Sequence, residues 1–216
     1  MTASDYNLWL KAKVGDFVQV SDQQAIEHSM KNGTGIDGLN YRIKEILEFK
    51  EARQLCSWVF CELEDEEDQL YLVAKNIDDE LTIILYYVEP EIEPGSRREL
   101  LDEGFDFLFN EFDTKPSNLD DLEFSSEIFV NNEDENGESF ESSFRQKRQG
   151  ALFAESTTKV KTALKSCVVE YRTMDEIENP EMMIYESWVA NGQGCEAVSF
   201  LRGSELATSE VELMLL

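Results

Sequence analysis

Between Leu39 and Val88 the chain carries four apolar runs: Leu39 to Phe49, Leu55 to Leu63, Leu70 to Ala74 and Leu81 to Val88. Each is rich in Val, Ile, Tyr, Phe or Trp, the residues that fit a pleated surface, and Tyr41 and Ile43 alternate in the first. Parallel neighbours would need a crossover of about a dozen residues or more, usually a helix. No helical pattern separates these runs, so the expected arrangement is an antiparallel meander. The fourth run includes Ile83 to Val88, the longest continuous apolar stretch, which suits a strand and is far too short to span a bilayer.

The flanks read less uniformly. Ser4 is placed to cap a short helix through Lys13, with Tyr6, Trp9 and Leu10 on its apolar stripe. Val14, Asp16, Val18 and Val20 then share one face of a predicted strand, with Phe17 on the other. Ser21 opens a capping-box pattern with Gln24, predicting a helix that carries Ala25, Ile26, Ser29 and Met30 to a stop at Asn32-Gly33. After Pro90 and Pro94-Gly95, Ser96 and Glu99 form a second capping box. Leu101, Phe105, Leu108 and Phe112 recur at helical spacing, predicting a helix over about 97–111 in spite of Gly104. Ser117 is positioned to cap a further turn reaching Glu123.

Asn136-Gly137 is a hairpin signal between Ile128 to Val130 and Phe140 to Phe144, because both residues tolerate positive φ. Val160 to Arg172 fits a strand better than a helix. Met183 to Ala190, Glu196 to Leu201 and Val211 to Leu215 complete the predicted strands. The expected fold is a β-rich α+β protein of mainly antiparallel meander sheets with a few short helices. Tyr41 to Lys75 and Tyr171 to Arg202 share a loose plan, a Trp-bearing strand (Trp58, Trp188), a polar turn and another strand, which suggests two related β modules. The corresponding division is an N-terminal module over 1–89, an acidic helix and hairpin connector over 90–155, and a C-terminal module over 156–216. A single domain over 1–216 is the alternative.

Charge narrows the partners. The chain holds 46 Asp and Glu against 19 Lys and Arg, for a net charge of −27. Nucleic-acid binders place cations on phosphates and release counterions, so a duplex reader is not expected. Anionic membrane surfaces repel such a chain for the same reason. A basic protein is the favoured partner class. The charge is also uneven: 14 acids and one base lie between Leu101 and Phe144, and six bases and one acid between Arg145 and Lys165. The start of the chain has no basic head followed by an apolar run, so no export signal is read there, and Cys56, Cys61, Cys167 and Cys195 are expected as reduced thiols in the cytoplasm.

No motif names a reaction, and no cofactor is expected. Gly33, Gly35 and Gly38 have dinucleotide-loop spacing, but they follow a predicted helix and precede a strand, the reverse of the order that brings a pyrophosphate to a helix N-terminus. Asn132, Asp134 and Asn136 before Gly137 match the first half of an EF-hand loop and are weak metal candidates; position twelve, normally a bidentate Glu, is Ser143. His28 is the lone histidine, and no Gly-x-Ser-x-Gly elbow supplies a nucleophile. Phe105, Phe109 and Phe112, interleaved with Asp102 and Asp106, form a candidate partner-docking stripe whose acids would meet a basic rim. The expected function is a non-catalytic binding or scaffolding module. A carboxylate- or divalent-metal-dependent enzyme and an acidic mimic of nucleic acid are the rival readings.

Overall fold

The protein is described from a computed structural model covering residues 5–21, 40–51, 56–64, 69–77, 79–88, 97–104, 125–133, 137, 139–146, 152–156, 165–173, 180–188 and 195–216. Most of these lie in antiparallel strands, with little helix. The chain divides into two compact units. One comprises Met1–Tyr87, Ser156–Thr158 and Gly203–Leu216; the other comprises Val88–Glu155 and Lys159–Arg202.

The first unit opens with helix α1 (Tyr6–Trp9), a single turn. Its N-cap is Asp5, whose carboxylate accepts from the Asn7 amide at 2.9 Å, rather than Ser4. The helix stops early because Lys11 and Ala12 donate three residues back, to Leu8 and Trp9, and tighten the chain out of the α-helix. Gly15 then takes φ +98°, which disrupts the strand expected from Val14, and Val14 is exposed. Strand β1 (Phe17–Val20) begins only beyond it.

Next come β2 (Asn40–Glu51), β3 (Cys56–Leu63), β4 (Leu70–Ile77) and β5 (Glu80–Val88), the meander that the four apolar runs predict. With β12 (Val211–Met214) the order is β12-β1-β2-β3-β4-β5, and each neighbouring pair among them is antiparallel. Register is fixed by cross-strand pairs such as Val18↔Leu213, Cys61↔Leu72 and Leu72↔Leu85. Ile77 pairs with Glu80, so β4 and β5 turn over two residues, the second being Asp79 at φ +67°. Asp tolerates that left-handed conformation better than most side chains.

Between Ile43 and Glu45 the β2–β3 register slips, leaving Lys44 as an extra residue on β2. The bulge puts Ile43 and Ile46, three apart, against the same core. That core gathers Trp9, Val18, Val20, Tyr41, Val59, Cys61, Leu72, Ile83, Leu85, Val211 and Leu213. The opposite face of the meander is dry as well: Phe49, Trp58, Phe60, Val73, Lys75, Ile84 and Tyr86 are all buried. Phe49 and Phe60 meet edge-to-face at 5.4 Å, a geometry favoured by the ring quadrupoles.

In the second unit, α2 (Arg97–Asp102) buries Leu100. Gly104, at φ +96°, stands two residues beyond its end, so the described helix is shorter than the stripe through Phe112 predicts; residues 105–111 lie outside the described residues. Strands β6 (Glu127–Glu133) and β7 (Ser139–Gln146) form the hairpin expected around Gly137, which takes φ +77°. Strand β9 (Lys165–Thr173) pairs with β10 (Pro180–Trp188) along one edge. Along its other edge β8 (Leu152–Ser156) takes Lys165 to Val168 and β7 takes Tyr171 to Thr173. Strand β8 has no counterpart among the strands expected from sequence. Consecutive residues Val168, Val169, Glu170 and Tyr171 are buried, and the Tyr171 hydroxyl donates to the Ser125 carbonyl at 2.8 Å. Strand β11 (Cys195–Leu206) runs past the predicted end at Leu201.

Gly203, in the part of β11 that belongs to the first unit, lies against β5 so closely that a Cβ there would overlap the Leu85 carbonyl oxygen and stand 2.8 Å from Tyr86 Cδ1. No helix among the described residues is long and apolar enough to cross a membrane.

Candidate functional site

Chemistry in a β-rich scaffold is sought first among buried polar groups, since each must be satisfied or used. Among the described residues three charged side chains are buried: Asp16, Lys75 and Glu170. Asp16 follows the Gly15 turn. Its Oδ2 accepts from the Lys13 amide at 2.8 Å and its Oδ1 from the Leu216 amide at 2.9 Å. The backbone locks the same corner: Gly15 N–H donates to Ile43 O, and Ile43 N–H donates to Asp16 O. One carboxylate thus fixes both the exit of α1 and the residues after β12. The signal was present in the sequence, as an acid on the face it shares with Val18 and Val20.

Beside this corner is a groove of about 480 Å³ lined by Leu10, Lys11, Ala12, Lys13, Asp16, Leu215 and Leu216. Both lysines are exposed, and so are Leu10 and Leu216. No local sequence pattern marks this place, because its two walls are about 200 positions apart in the chain.

Cys56 and Cys61 are not arranged as a metal-binding pair. Cys56 and Cys61 are five residues apart on β3, so they point to opposite faces, and both are free and buried. Burial, with a smaller contribution from Asp16, pushes the Cys61 thiol up to about 12, which suppresses the reactive thiolate. Tyr6 is likewise pushed up to about 12, chiefly by burial, against a hydrogen bond with Ser57 that acts the other way. On the other face of β3 the Trp58 indole N–H has no hydrogen-bond acceptor among the described residues, and Lys75 stands opposite it in register. No group of three or more His, Cys, Asp or Glu among the described residues is arranged to hold a metal.

Few of the sequence candidates fall among the described residues. Asp102 is exposed at the end of α2. Phe105, Asp106, Phe109 and Phe112 lie outside the described residues, as do Asp134, Asn136, His28 and the glycines 33, 35 and 38. Asn132 stands in β6 opposite Phe140, in a segment that joins two strands, where an EF-hand loop joins two helices. Of the acids from Glu62 to Asp68, Glu62 binds Lys44 at 2.6 Å, which raises the lysine's pKa, and Glu64 stands 3.9 Å from Arg42.

No protein-family model, curated protein or solved structure matches the chain.

Proposed function

We propose that this protein is a non-catalytic binding or scaffolding module whose acidic exterior docks a basic protein. The observation that carries this reading is the distribution of exposed carboxylates over both units. Glu45, Glu64, Asp79, Glu80, Glu205 and Glu212 are exposed in the first, and Asp102, Glu103 and Glu141 in the second. Hairpin ends concentrate them: Glu64 follows β3, Asp79 lies in the β4–β5 turn, and Glu80 opens β5. The sequence adds Asp65, Glu66, Glu67 and Asp68 directly after Glu64. Such a surface steers cationic partners and repels polyanions, an effect that salt screens. The free thiols of Cys56 and Cys61 are compatible with the reducing, cytoplasmic setting this reading assumes. The test is capture of a lysine-rich peptide at low and high salt. Binding should weaken steeply as salt rises; capture that ignores salt, or no capture at all, removes the proposal.

We further propose that the Trp-bearing blocks are two related β modules with α+β character. Trp58 in β3 and Trp188 in β10 both occupy strands flanked on each side by a neighbour, which supports the likeness. Two resolved transitions in calorimetry are expected, and a single two-state transition counts against separate modules.

A further inference from the structure

Four of the five large apolar side chains that are exposed among the described residues occur in two short segments. They are Leu10 and Val14 after α1, and Met214 and Leu216 at and after the end of β12. Leu10 and Leu216 line the groove beside Asp16, and Lys11 and Lys13 line it with them. Asp16 is the acidic residue in that lining, and its two oxygens are already engaged by the Lys13 and Leu216 amides. The side chains that the groove offers a visitor are therefore aliphatic walls and lysines, on a chain whose net charge is −27.

We propose that this groove is a docking site for an extended peptide segment that carries aliphatic side chains flanked by carboxylates. The lysines set the sign of the partner: a carboxylate complements them, whereas a cationic segment suited to the rest of the exterior is repelled here. The apolar walls select the side chains. A volume of about 480 Å³ accommodates two or three aliphatic side chains, and pockets of this order hold compact ligands. Val14 and Met214, the sequence neighbours of the lining residues Lys13 and Leu215, are also exposed, which suits a segment of several residues more than a compact molecule. Both walls are held in place before any partner arrives. Trp9 is buried just ahead of one, and Asp16 bonds both, so little ordering is needed on binding.

The probe is a fluorescently labelled six-residue peptide alternating leucine and glutamate, titrated against the full chain by anisotropy. It should bind, and the K11E/K13E double variant should bind about tenfold more weakly, the sum expected of two exposed charge pairs. The K50E variant makes a charge reversal at an exposed site on β2 and should bind like the parent chain, which separates a local contact from overall repulsion. Leu10→Ser should weaken binding with an unchanged melting temperature, since Leu10 is exposed. A peptide alternating leucine and lysine should not bind. Equal binding of the two peptides, or indifference to K11E/K13E, overturns the proposal. So does binding of decanoate with the same lysine dependence while the peptide fails, or sedimentation showing that a second copy of the chain fills the groove.

Discussion

Strands β3, β4 and β5 bury both faces, whereas β12 buries one and wets the other. In β3 the side chains of Cys56, Trp58, Val59, Phe60, Cys61 and Leu63 are all buried. In β12 Val211 and Leu213 are buried, while Glu212 and Met214 are exposed. The two regions are held by different means. The centre is held by volume, since close-packed interiors register the loss or gain of a single methylene. The periphery has fewer buried side chains per residue, two of four in β12 against six of eight in β3, and it adds directional bonds through Asp16. The exposed lysines and leucines of the groove are found at the periphery, where a side chain is free to meet a partner.

The largest expected contrast comes from truncation. Leu72→Ala, in the middle of β4, should cost about 3–4 kcal/mol in urea unfolding, through lost burial and the cavity left behind. Met214→Ala, on the wet side of β12, should stay within about 0.5 kcal/mol. Similar losses at the two sites would break the distinction.

Gly203→Ala probes the centre from the other direction. Its Cβ would meet the Leu85 carbonyl, which is backbone and cannot rotate away. A loss of about 2–3 kcal/mol is expected, and a neutral outcome would mean that β5 and this part of β11 separate easily.

Asp16→Ala tests what the periphery adds. It leaves the Lys13 and Leu216 amides without their acceptor and should cost about 2 kcal/mol. Hydrogen exchange should quicken in β12 more than in β4; uniform quickening would show that the corner is not a local anchor.

The smallest effect is an alkaline one. Cys61 lies between the two regions, on β3 but close to Asp16, and its folded pKa of about 12 stands above the ordinary 9.0. A raised folded pKa means that the native state holds the proton more tightly. The stability it gives is therefore full below pH 9.0 and is lost as pH rises towards about 12. Tyr6 adds the same sign between 10.0 and about 12. Melting temperature should fall between pH 9 and 11, less so in Cys61→Ala, and native Cys61 should resist thiol reagents at pH 8. Labelling at the rate of a free thiol would contradict its burial.

The meander was legible because its four strands are dense in apolar residues with no helical pattern between them. The β6–β7 hairpin was legible because Gly137 marks its loop. The bulge at Lys44 was not, since one inserted residue changes which side chains face inward without changing the composition of β2. The end of α2 was misread because Phe105, Leu108 and Phe112 continue the apolar stripe past Gly104, and periodicity outweighed the glycine. The groove was hidden for a different reason. Lys11 and Lys13 look like ordinary solvated residues until Leu215 and Leu216 are brought beside them, and no local pattern encodes that approach.

The Leu216 amide and the Asp16 carboxylate that accepts from it are 200 positions apart. A ribosome releases β1 long before it has made the strand that covers it. Until then Val18 and Val20 await their partners, and the nascent first half is a sticky intermediate. Assembly of this unit therefore waits on contacts between residues 200 positions apart, which predicts slow folding and a growing chain that gains from a chaperone's shelter.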